Sequence, residues 1–294
     1  MSGSYSLYRC AVLSTSSGSL SSVLDRNSPI HILPLGVIMG QQQVTDGLDI
    51  DNAAFCRWRE THLDEPTATM PPPADYLANT FHYLISEGYH EVIVTTLSHQ
   101  LSDTAAQIRD MAPQFPQLTI HVVDTGSCCM PEGFFALEAL RLLKEGQSPR
   151  EVVDYLERLK KHCHIIFGVA SLQPLTQGGK LKRIGAKFND WLGLRTVLKF
   201  AHHELSHLAS VSDDEEMFDA VIRHIRPFLD GKQPNEVVLA GLYSGNAAMY
   251  RRFADYFHHQ TGWQLGCGIP VSPAVAVHVG IDNIGIGLVE RLKA

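Results

Sequence analysis

His90-Glu91-Val92-Ile93-Val94-Thr95-Thr96-Leu97 runs directly into Ser98-His99-Gln100-Leu101-Ser102-Asp103-Thr104-Ala105. The first eight residues are a β-branched, mainly apolar run of strand length, which suits a strand buried on both faces of a parallel sheet. The second eight carry the short hydroxyl and carboxylate side chains that open helices, and Leu101–Met111 continues as an amphipathic stretch. Strand, polar turn, helix is the repeating unit of an α/β protein.

The unit recurs on either side. Tyr8–Leu13 reads as a strand followed by a Ser/Gly-rich turn and a helix from Ser19, and Ile30–Met39 as a strand broken by Pro34. Ala74–Glu87 reads as a helix, Leu118–Asp124 (LTIHVVD) as a buried strand, and Gly133–Lys144 as a helix. Ser148-Pro149-Arg150-Glu151 has Ser at N-cap, Pro at N1 and Glu at N3, the signature of a capping box. The second half is less regular. His164–Ala170, Arg195–Ala201, Leu208–Val211, Glu236–Leu242, Val275–Val279 and Ile284–Val289 read as strands. Asp213–Leu229, Asn246–His259 and a segment running to Trp191 read as helices. The expectation is α/β with a Rossmann-like three-layer α/β/α domain and parallel sheet over 1–161, then a two-layer α/β domain with a mixed sheet over 162–294.

The chain has 294 residues, enough for two such cores, and 45% hydrophobic against 19% charged residues is an ordinary globular balance. A net charge of -7 excludes a protein whose whole surface neutralises nucleic acid; the run Lys180, Lys182 and Arg183 reads as a solvated face. Six scattered cysteines without CxxC spacing indicate reduced thiols. With no secretory leader pattern at Met1–Tyr8 and no membrane span, the expected location is cytoplasmic.

Ligands of open parallel sheets bind where strands end and helices begin. Three places supply hydroxyl or imidazole groups there: Thr67–Pro72, Ser98–Thr104 and His278-Val279-Gly280. Each also has an ordinary structural role, with Thr69 and Ser102 as helix caps, Ser98 as a turn residue and His278 as a hydrogen-bonded core residue.

Taken in order, six segments resemble the signatures of the DegV family. They are Leu33-Pro34-Leu35 with Val44-Thr45-Asp46; Ala68-Thr69-Met70-Pro71-Pro72 followed by Tyr76; Gly88-Tyr89-His90 with Ser98–Ala105; Val122-Val123-Asp124-Thr125; Leu175–Leu181; and His278–Gly285. The resemblance implies a protein that encloses one long-chain fatty acid such as palmitate, stearate or oleate, tail in an apolar cavity and carboxylate at the domain interface. It implies carboxylate contacts from Thr69, Ser98 and His278, with His99, Ser102 and Gly280 secondary. It also implies no catalytic residue, no metal, no cofactor, and a partner in a dihydroxyacetone-kinase-like fatty acid kinase. The chain departs from the family pattern at Ser14, Ala68, Pro72, His99, Asp103 and Lys180.

Other chemistries are written in the sequence. His203-Glu204-Leu205-Ser206-His207 is an HExxH string, which on a helix would make a zinc metallohydrolase site. Ser98 with His278 would make an acyl-ester hydrolase, although no G-x-S-x-G elbow surrounds Ser98. His162-Cys163-His164 alternates at a strand edge, where a structural role is expected over metal binding. No G-x-G-x-x-G follows a predicted strand, which removes a dinucleotide site.

Overall fold

The computed structural model describes residues 8–25, 27–177 and 195–292. In chain order the first half supplies β1 (Cys10–Thr15), β2 (Ile30–Leu33), β3 (Gly36–Met39), β4 (Gln42–Thr45), α1 (Asn52–Thr61), β5 (Thr67–Met70), α2 (Ala74–Ser86), β6 (Glu91–Thr96), α3 (Thr104–Met111), β7 (Thr119–Asp124), α4 (Cys129–Lys144) and α5 (Pro149–Leu159). The second half supplies β8 (Cys163–Val169), α6 (Gln173–Gln177), β9 (Arg195–Ala201), β10 (Glu204–Val211), α7 (Asp214–Ile225), β11 (Val237–Ser244), α8 (Ala247–Thr261), β12 (Ile269–Pro270), α9 (Pro273–Val279) and β13 (Asn283–Glu290).

Strands β2, β1, β6 and β7, in that order, form a four-stranded sheet that is parallel throughout. Side chains alternate across it. Leu13, Val92 and Val94 meet Leu77, Phe81 and Ile108 of α2 and α3 on one face. Val12 and Ile93 meet Ala136, Ala139, Val152 and Leu156 of α4 and α5 on the other. Burial of each such side chain contributes about 1.5–3 kcal/mol, so the three layers follow from strands that are apolar on both faces. The expected capping box is present at the start of α5, with Ser148 accepting from the Glu151 N–H and Glu151 returning the bond.

The second sheet is six-stranded, in the order β10-β9-β8-β13-β11-β12, antiparallel apart from the β11–β12 pair. In β13, Asn-Ile-Gly-Ile-Gly-Leu divides by alternation. Ile284, Ile286 and Leu288 pack with Met217, Val221, Phe253 and Phe257 of α7 and α8. Gly285 and Gly287 face the opposite side, where α4 lies against the sheet: a Cβ on Gly287 would sit 2.7 Å from Pro131. Helix α4 packs on β1 and β6 of the first sheet and on β8, β11 and β13 of the second. A 3-10 turn, Lys160–His162, carries the chain from α5 into β8.

Some expectations are corrected. The run Ile30–Met39 is two strands: Pro34 turns the chain out of the parallel sheet after β2, and β3 enters a three-stranded antiparallel sheet with β4 and β5. The helix from Ser19 is a pair of 3-10 turns, Ser16–Gly18 and Leu20–Ser22. Val275–Val279 is not a strand but helix α9. Its valines alternate, yet Ser272-Pro273 opens a helix and Gly280, at φ 81°, closes it; Ala274, Ala276 and Val277 are buried, which overrides the local pattern. The segment running to Trp191, the Gly178-Gly179 turn and the Lys180, Lys182 and Arg183 run lie outside the described residues.

Candidate functional site

The order of the parallel strands reverses direction between β1 and β6, and the crevice beyond their carboxyl ends is the switch point where such sheets bind ligands. Ser17 follows β1 and Leu97 follows β6, and both line a cavity there. Its other walls come from the second sheet, through Ile165, Phe167, Phe200, Leu205, Leu242 and Gly285, and from Ala274, Val275 and Val279 of α9. The empty space is about 1000 Å³, its opening to solvent included. Ser17, Thr69, Ser102, Tyr243, Ser244, His278 and Asn283 bring hydroxyl, imidazole or amide groups to its lining, and no Lys, Arg, Asp or Glu is among the lining residues described.

Thr69 stands on β5, opposite Val37, and His278 on the last turn of α9, which packs against β5. Thr69 Oγ1 and His278 Nε2 are hydrogen-bonded at 2.9 Å. Ser102 is buried at the entrance to α3, where its Oγ accepts from the Thr104 N–H at 3.3 Å and lies 2.8 Å from Thr104 Oγ1. Ser98 is fully buried outside the cavity lining, and its Oγ lies 2.8 Å from His203 Nδ1. His99 turns outward and pairs through Nδ1 with Asp124 Oδ2 at 2.6 Å. Gly280 ends α9, its N–H bonded to the Ala276 carbonyl at 2.8 Å, and is not part of the lining. The structure therefore brings Thr69, His278 and Ser102 to one cavity, and sets Ser98 and His99 in a polar seam beside it.

The rival chemistries resolve differently. His203 lies in the turn of the β9–β10 hairpin and His207 on β10, so the HExxH string is not helical. Two residues four apart on a strand are about 13 Å apart, too far to share a zinc, and His207 bonds Ser210 at 3.0 Å instead. Ser98 and His278 have separate partners, His203 and Thr69, so they do not form a nucleophile–base pair. His203 does not complete a triad either, because the Nδ1 that meets Ser98 is also the nitrogen 3.9 Å from Asp124. Burial holds His203 below the ordinary histidine value. Of the His162-Cys163-His164 run, Cys163 is buried and His164 packs on Phe228 at 4.4 Å between ring centroids.

Sequence reading missed a buried carboxyl behind the cavity wall. Glu132 on α4 is fully buried and accepts from Ser17 Oγ at 2.7 Å and from Thr15 Oγ1. Burial pushes its carboxyl up to about 8, against the two hydroxyls, with Asp124 and Asp46 adding to the rise. Asp46, bonded to Ser16 Oγ at 2.7 Å, is pushed up to about 6 by the same cause. A glutamate amid Cys128–Gly133 carries no pattern that marks it as buried; only its position on a helix held between two sheets does so.

The fold and site define a class, that of α/β proteins enclosing a mainly apolar cavity between a parallel and a mixed sheet, at the switch point of the parallel one. The chain belongs to the DegV family: the model of that family, described as "Uncharacterised protein, DegV family", matches residues 9–291. It is similar to a DegV domain-containing protein of Halalkalibacterium halodurans, 22% identical over 278 residues, covering 95% of this chain and 97% of that one. Among solved structures it resembles DegV, a fatty acid binding protein from Bacillus subtilis, with a TM-score of 0.82 and 20% identity over 96% of this chain and 99% of that one. It also resembles a stearic acid-binding protein from Eubacterium ventriosum, with a TM-score of 0.85 and 19% identity over 97% and 98% of the two chains. These likenesses establish the fold.

Proposed function

We propose that this protein binds one long-chain fatty acid, its tail in the cavity between the two sheets and its carboxylate at Thr69 and His278, with Ser102 beside them. The cavity itself carries the reading: an almost wholly apolar lining interrupted by a hydroxyl and an imidazole already at hydrogen-bonding distance. Each methylene removed from water contributes about 0.8 kcal/mol, so the tail supplies affinity while the polar pair sets orientation. With no cation among the described lining residues, the head group is held by hydrogen bonds alone. The relatives described as fatty acid binding support the same reading. Ser98 belongs in this scheme behind the wall, fixing the turn between Leu97 and Leu101, both of which line the cavity.

The finer assignments rest on this one. The two lobes divide near residue 161, at the turn leading into β8, so the carboxylate lies at their interface. Six free cysteines support a reducing, cytoplasmic location, and no helix among the described residues is long and apolar enough to cross a membrane. The protein acts as a carrier that presents the carboxylate to a separate fatty acid kinase and catalyses nothing itself. Native mass spectrometry of the purified protein, followed by denaturing extraction, tests the core reading. One C14–C18 acid per chain is expected; a bare chain that takes up no added palmitate, stearate or oleate overturns it.

A further inference from the structure

Beside the cavity, three segments distant in sequence converge. His99 follows β6, Asp124 is the last residue of β7, and His203 is in the turn of the β9–β10 hairpin. One ligand atom from each lies within 4.8 Å of the other two. We infer that His99, Asp124 and His203 form a binding site for a divalent transition-metal ion of the zinc type.

The donor set and its anchoring both favour this. Two imidazoles and one carboxylate suit zinc and its neighbours, whereas magnesium and calcium require oxygen ligands. Zinc–ligand bonds of about 2.0–2.2 Å place tetrahedral ligand atoms about 3.3 Å apart. The His99 Nδ1–Asp124 Oδ2 contact is 2.6 Å and the His203 Nδ1–Asp124 Oδ1 contact 3.9 Å, one on each side of that value; binding an ion through His203 Nδ1 exchanges its 2.8 Å contact with Ser98 Oγ for the metal. Each ligand is held from behind. Asp124 Oδ1 accepts the Gly126 N–H at 3.0 Å and Oδ2 the His99 N–H at 3.2 Å. The His203 N–H donates to the Gly126 carbonyl at 3.1 Å. Gly126 is itself required: a Cβ there would stand 3.1 Å from His203 Nε2, at a φ of 66°.

Asp124 is nearly buried, and among the described residues its ion pairs are with these two histidines, with no Lys or Arg to take its charge. The His99 side chain is 54% exposed, which leaves a fourth coordination position to water, as in three-ligand zinc sites. Such an ion would tie the hairpin of the second sheet to the carboxyl edge of the first, between Leu97 and Leu101 on one side and Phe200 and Leu205 on the other.

The test is titration of the chelator-stripped full chain with zinc sulfate in competition with a chromophoric chelator. One zinc per chain is expected, displaced by cobalt or nickel and unaffected by excess magnesium. His99→Gln and His203→Asn should each weaken it at least about tenfold; asparagine tolerates the φ of 68° at position 203. The double change His258→Ala/His259→Ala, on an exposed pair of rings in the last turn of α8, controls for casual binding by a chain with 15 histidines and should leave the affinity unchanged. Nitrogen-resolved NMR of the histidine rings in the unmodified protein keeps the test independent of folding: the signals of His99 and His203 should move first and saturate at one equivalent. Absence of stoichiometric zinc, equal affinity in either variant, or movement of other rings alone overturns the assignment.

Discussion

Replacing His278 by alanine and Thr69 by valine removes both polar groups at the 2.9 Å contact while keeping the shape of β5, since valine is a β-branched match for threonine opposite Val37. A hydrogen bond to a charged group contributes about 1.5–3 kcal/mol, so losing two costs about 3–6 kcal/mol, a factor of roughly 10² to 10⁴ in palmitate affinity at about 1.4 kcal/mol per tenfold. The tail is untouched: some fifteen methylenes at about 0.8 kcal/mol each keep roughly 12 kcal/mol of gross burial energy. The decisive comparison is therefore between palmitate and 1-hexadecanol, measured by displacement of a fluorescent fatty acid. The unmodified protein should prefer the acid, and the double variant should lose that preference while still binding the alcohol within a fewfold of its original affinity. Palmitate affinity unchanged within threefold refutes the head-group assignment. Equal weakening of acid and alcohol refutes it too, because a collapsed cavity rather than a lost polar contact then explains the effect.

Glu132 makes stability depend on pH. Its folded value of about 8 exceeds the ordinary 4.5, so the native state holds a proton that the unfolded chain releases. The stabilisation is complete below pH 4.5 and lost as pH rises to about 8. At about 1.4 kcal/mol per pH unit this is at most about 5 kcal/mol. Asp46, pushed up to about 6 from 3.8, adds a slope of the same sign between those values. Urea unfolding at pH 5, 7 and 9 should show this fall, and Glu132→Gln should flatten it above pH 6; equal slopes in both proteins would falsify the assignment. Gly287→Ala places a Cβ 2.7 Å from Pro131, and overpacking of that kind costs about 1–3 kcal/mol. Thermal unfolding should show a lower midpoint, whereas an unchanged one means that α4 can move away from β13 freely.

The alternation of strand and helix was legible because it is local. The HEVIVTTL run is apolar on both faces whatever surrounds it, LTIHVVD is β-branched enough to form a strand although it lies at the sheet edge and is buried only at its end, and the Ser148–Glu151 capping box forms within four residues. The small sheet was not legible. Thr67–Met70 is four residues between prolines, too short for a period, and it is a strand because Val37 and Gly36 of β3 stand beside it. Helix α9 went unread because alternating valines favour a strand, while its helical form depends on burial against α1 and β5.

The site divides along the same line. Sequence alone picked out Thr69, Ser98, Ser102 and His278 as candidates, with a family resemblance to rank them, since motif order survives in one dimension; it read Thr69 as a helix cap and His278 at a strand, where the structure has β5 and α9. Only the tertiary structure decided their partners. Thr69 and His278 are 209 residues apart and share one hydrogen bond. Ser98 instead meets His203, 105 residues away, beside His99 and Asp124. Periodicity describes the environment of one segment at a time, whereas a contact across the gap between two sheets is set by how both pack on α4, which no single segment encodes.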